Sequence, residues 1–95
     1  EAPPVPTVAG EHVRYVVPHT VNPERLTEAD VRLQMRVTEP IEQAVRIQVH
    51  DGEQLIAQGG ARYARPGEMV NVTLRRRDYD KVRAAKELRV SVVPR

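Results

Sequence analysis

The sequence predicts an all-β protein, a small antiparallel β-sandwich of about six to seven strands with no disulfide. Three observations carry that expectation. Apolar and polar residues alternate with period two in several short runs, most clearly VRLQMRV and VRIQVH. The chain has no Phe and no Trp, so its interior must be aliphatic, and its sixteen valines favour the pleated strand. Turn-forming pairs such as Asp51-Gly52 and Pro66-Gly67 punctuate the runs. Ninety-five residues supply one modest core and not two, and the absence of cysteine excludes both a disulfide and a thiolate nucleophile.

Residues 1–11 hold three prolines in the first six positions and no periodic pattern. Proline fixes its own backbone and restricts the residue before it, so this stretch is expected to be an extended linker. The sandwich should then occupy residues 12–95, as one domain of a longer polypeptide. HVRYVVP is expected as the first strand, with Val13, Tyr15 and Val17 on one face, His12, Arg14 and Val16 on the other, and Pro18 ending its pairing. Asn22-Pro23 favours a turn in the connection to the second strand, where Leu26 reads as an apolar plug.

In the next strand Val31, Leu33, Met35 and Val37 alternate with Arg32, Gln34, Arg36 and Thr38, which a helix would scatter around its axis. Val45, Ile47 and Val49 repeat the signal. Asp51-Gly52 then predicts a tight hairpin returning QLIAQ antiparallel to its predecessor. Gly59-Gly60 predicts a bulge or bend in that strand, and Pro66-Gly67 a further turn. MVNVTL should bury Val70, Val72 and Leu74, and ELRVSVVP should bury Leu88, Val90 and Val92. Between them RRRDYDKVRAAK reads as one or two helical turns capped by Asp78 or Asp80, with Tyr79 and Val82 against the sheet edge. The outline is immunoglobulin-like in architecture only, because the paired cysteines and core tryptophan of antibody domains are absent.

No catalytic, cofactor-binding or metal-binding residues are assigned. His12, His19 and His50 lack the spacing of a helical metal site, and the alternation puts His12 and His50 on wet faces. Glu39 with Glu42, and Asp78 with Asp80, read as solvated turn residues rather than a facing acid pair. Ser91 is the only serine and sits in a strand without a nucleophile elbow. The five glycines make neither a G-x-G-x-x-G turn nor a phosphate loop. Charge is uneven: residues 1–64 carry six arginines against nine acids, residues 65–95 nine basic groups against four. Arg75-Arg76-Arg77 is the one run resembling a binding patch. With Tyr79 as its only nearby aromatic and Asp78 and Asp80 beside it, it reads as a solvated loop or a docking surface rather than a nucleic-acid site. No apolar run spans a membrane.

The succession VRYVVPH, VRLQMRVTEP and VRIQVHDGEQLIAQGGARYARPGEMVNVTL resembles the C-terminal domain of bacterial FAD-dependent pyridine-nucleotide (NAD/FAD) oxidoreductases. Arg14-Tyr15-Val16-Val17-Pro18, Arg36-Val37 and Pro66-Gly67-Glu68-Met69 carry the likeness, which covers residues 12–93. Gly59-Gly60 and the arginine run depart from it. The resemblance implies a non-catalytic cytoplasmic accessory domain. FAD and NAD(P) would be held by upstream flavin domains, which are its expected partner, with homo-oligomerisation as a further option and no cofactor of its own. The competing expectations from the same fold are an adhesive or carbohydrate-associated module of a secreted protein and a basic nucleic-acid binder using Arg75 to Arg77.

Overall fold

A computed structural model describes residues 3–95. Among them run strands β1 (Val5–Ala9), β2 (Val13–Val17), β3 (Thr20–Val21), β4 (Val31–Val37), β5 (Val45–Asp51), β6 (Gln54–Ala61), β7 (Val70–Leu74) and β8 (Leu88–Pro94). One short helix, α1 (Tyr79–Ala84), and two 3₁₀ turns, Pro23–Thr27 and Arg76–Asp78, complete the described residues. A five-stranded sheet in the order β3-β1-β8-β5-β6 lies over a three-stranded sheet in the order β2-β4-β7. Every pairing is antiparallel except β1 with β8, which is parallel.

The core obeys the alternation. Leu33, Met35 and Val37 from β4 face Val45, Ile47 and Val49 from β5 and Leu88, Val90 and Val92 from β8, all fully enclosed. Each such aliphatic side chain contributes about 1.5–3 kcal/mol by leaving water. Leu26, reaching in from the first 3₁₀ turn, and Val82, from α1, close the interior from outside the sheets. Asn22 starts the turn that carries Leu26: its side-chain oxygen accepts the Glu24 N–H at 3.0 Å.

Four details depart from the sequence reading. Residues 5–9, expected within a linker, form β1, which pairs with β3 and β8; Glu1 and Ala2 of that linker lie outside the described residues. In β2 the register shifts between Val13 and Tyr15. That bulge at Arg14 turns Val16 inward and leaves Tyr15 and Val17 exposed, reversing the expected faces. In β6 the irregularity is not at Gly59-Gly60, which pair evenly with Ile47 and Arg46. It falls at Ile56, left over between Leu55, opposite His50, and Ala57, opposite Val49, so that Ile56 and Ala57 are both buried. Finally, at the hairpin Asp51 stays in β5 and only Gly52 takes the positive φ, 60°, that the two-residue turn requires.

Candidate functional site

The polar side chains singled out in the sequence are dispersed, and most of them hold the fold. His12 is not on a strand face: it occupies the turn between β1 and β2 with φ 66°, and its Nδ1–H donates to the Val92 carbonyl at 2.8 Å. Ser91 is buried, its Oγ accepting the Glu11 N–H at 3.1 Å. These two contacts fasten the Gly10–His12 corner onto β8. His19 and His50 lie elsewhere, and among the described residues no three His, Asp or Glu side chains are grouped to hold a metal ion.

The two acid pairs also separate. Glu42 is taken up by Arg65, whose Nε and Nη2 donate to its two oxygens at 3.1 and 3.2 Å. Those hydrogen bonds hold the Glu42 carboxyl below its ordinary value, with the Arg65 charge acting in the same direction. The same guanidinium lies 4.2 Å from the centre of the Tyr63 ring, while Glu39 is exposed. Asp78 is 5% exposed and its Oδ2 accepts the Arg75 N–H at 2.8 Å, closing the 3₁₀ turn before α1; Asp80 is in solvent.

The arginine run is partly neutralised. Arg75 donates to Asp30 at 3.1 Å across 45 residues of sequence, and Arg77 lies 3.8 Å from Asp78. Two further interactions had no local signal in the sequence. Tyr79 donates its hydroxyl to Glu24 at 2.9 Å, joining α1 to the first 3₁₀ turn, and Arg36 donates to the Tyr15 hydroxyl at 2.7 Å and to the Pro66 carbonyl at 3.2 Å.

The bond to Glu24 raises the Tyr79 hydroxyl above its ordinary 10.0, because an acceptor carboxylate disfavours the phenolate; burial adds to this. With the folded value above the unfolded one, this stabilisation is complete below about pH 10 and is lost as pH rises through the folded value. Tyr79→Phe should therefore lower the denaturation midpoint at neutral pH, and the gap to the parent should shrink in strong alkali. Urea unfolding over a pH series checks this. A gap that is constant or that widens with pH refutes the coupling.

Among the described residues an open cleft of about 420 Å³ lies between β3, the first 3₁₀ turn and the start of β4. Arg25, Glu28, Asp30 and Arg32 line it with Thr20 and Asn22. Its charges are mixed in sign, and Asp30 is already paired with Arg75, so it has no acid–base pair and no uniform field for one class of ligand. No family model, curated protein or solved structure matches the chain.

Proposed function

We propose that the chain is a non-catalytic accessory domain that packs against the flavin-bearing domains of a cytoplasmic FAD-dependent, NAD(P)-linked oxidoreductase. The observation that carries this reading is how the reactive side chains are used. His12, Ser91 and Asp78 bind backbone, Glu42 binds Arg65, and a closed aliphatic interior occupies the space a pocket would need. The resemblance carried by Arg14 to Pro18 and by Pro66 to Met69 supports the flavin context.

The reading frame upstream of Glu1 is expected to encode a G-x-G-x-x-G turn between a strand and a helix. The isolated chain should purify colourless and show no heat of binding with FAD or NADH in calorimetry. Tight flavin binding by the chain alone, or a secretion signal at the start of the reading frame, would contradict the proposal. The adhesive or carbohydrate-binding reading gains no support from the exposed aromatics. Arg65 stacks on Tyr63, and the Tyr15 hydroxyl is committed to Arg36, so neither offers an unencumbered platform for a sugar ring.

A further inference from the structure

The outer surface of the three-stranded sheet differs from a solvated face. Tyr15 and Val17 stand on it 37% and 42% exposed, and Met69, at its edge just before β7, is 37% exposed; these are three of the five large hydrophobic side chains left in water among the described residues. Register sets Tyr15 beside Arg36 and Val17 beside Gln34, with Gln34 facing Asn71 and Arg32 facing Thr73. β2, β4 and β7 contain Arg14, Arg32 and Arg36 and no Asp or Glu. Of the acids flanking these strands, Asp30 and Glu68 face Arg75 and Arg65 at 3.1 and 3.7 Å, Glu11 faces His12 at 3.6 Å, and Glu39, two residues beyond β4, is exposed.

Arg36 is the distinctive member. It is half-buried, and its two acceptors, the Tyr15 hydroxyl and the Pro66 carbonyl, are both neutral. Two hydrogen bonds therefore fix a guanidinium in place, and among the described residues no carboxylate pairs with its charge. A fixed cation bonded to Tyr15, with Val17 further along the same strand and Met69 at the edge, has the composition of the energetic centre of a protein interface, where Arg and aromatic anchors dominate.

We infer that this face docks a protein surface presenting carboxylates among apolar side chains, and that the surface belongs to the catalytic body of the proposed parent enzyme. The identity of that occupant rests on the function proposed above. A second copy fits poorly, because a two-fold contact buries this face against itself, and β2, β4 and β7 carry arginines and no carboxylate to offer their counterparts. A nucleic acid would need several stacking rings, and Tyr15 is the one aromatic residue on β2, β4 and β7.

The chain has no cysteine, so introduced thiols report on single positions. Val17→Cys sits on the proposed face, Met69→Cys at its edge just before β7, and Gln58→Cys on an exposed position of β6 in the other sheet. Labelling rates are measured by peptide mass spectrometry in the full-length gene product and normalised to the rates in denaturant. The expected result is labelling at positions 17 and 69 about tenfold slower than at 58, since an interface core excludes water. Arg32→Glu, an exposed change that spares the fold, should restore fast labelling at 17 and 69 without altering 58 or the melting temperature; Arg36→Glu should release 17 and 69 more strongly but also lower the melting temperature, because it removes the bonds to Tyr15 and Pro66.

Equal normalised rates at the three positions overturn the assignment of the face. If they are equal in a yellow, flavin-loaded protein, only the face is wrong and the proposed function stands. If the gene product carries no flavin, the proposed function fails, and protection at 17 and 69 still decides whether this face is covered. Protection that disappears on nuclease treatment, or that depends on protein concentration, overturns the protein-body occupant in favour of a nucleic acid or a second copy.

Discussion

Leu26→Ala is expected to destabilise the domain by about 3 kcal/mol, the usual cost of emptying a leucine-sized space in a closed core. Leu26 belongs to neither sheet. It enters from the 3₁₀ turn at Pro23–Thr27, is 1% exposed, and shares the core with Val82 of α1. The turn is short and held by one side-chain cap, the Asn22–Glu24 bond, and by the Tyr79–Glu24 contact. The structure around Leu26 can thus relax only by giving up those bonds, which keeps the cavity open. For a domain of this size the melting temperature should fall on the order of 15 °C. Thermal unfolding followed by far-ultraviolet circular dichroism measures it. A fall of only a few degrees would mean that the 3₁₀ turn collapses inward or that Leu26 is not enclosed.

Gly10→Ala should cost about 2 kcal/mol by overpacking. A β-carbon at Gly10 would overlap Ser91 Oγ, approach Arg89 Cγ to 2.9 Å and the Val90 carbonyl oxygen to 3.0 Å. The strain is steric and not conformational, since the positive φ values among the described residues belong to His12 and Gly52. Part of the obstruction is backbone and cannot rotate away. Ser91→Ala removes the worst contact but also the acceptor of the Glu11 N–H. In the double variant the two losses should therefore fall short of their sum by about 0.5–1 kcal/mol, as touching positions do. Equilibrium unfolding in urea of the four proteins closes the cycle. In a linker Gly10→Ala would change stability by no more than about 0.5 kcal/mol, so the experiment also judges whether β1 belongs to the sandwich.

Strands whose neighbours are regular were legible in the sequence, because period two needs no long-range information. β4, β5, β7 and β8 bury the residues that alternation selects, save Val31 at the start of β4, which is half-buried, and Leu26 fills the role its isolation suggested. Alternation fails where a residue is inserted. Arg14 and Ile56 carry no glycine or proline to mark their bulges, and each shifts the faces of the strand residues beyond it. β1 was hidden for a different reason. Its prolines argue against regular structure, whereas the strand gains its place from long-range pairing with Val21 and with Leu88 to Val90. The polar contacts divide in the same way. Acids adjacent to the arginine run were visible, and Asp78 does sit beside Arg77; the shorter pair joins Arg75 to Asp30, which only the meeting of β4 and β7 brings close.

The parallel run of β1 beside β8 has a mechanical consequence. Thr7, Val8 and Ala9 advance in step with Leu88, Arg89 and Val90, so the chain enters beside the start of the last strand and leaves from that strand's far end. A tension applied between Val5 and Pro94 is therefore directed along both strands and loads their rungs together in shear, instead of opening them one after another like a zipper. Held between two heavier bodies, the domain would transmit a pull along its length and yield late.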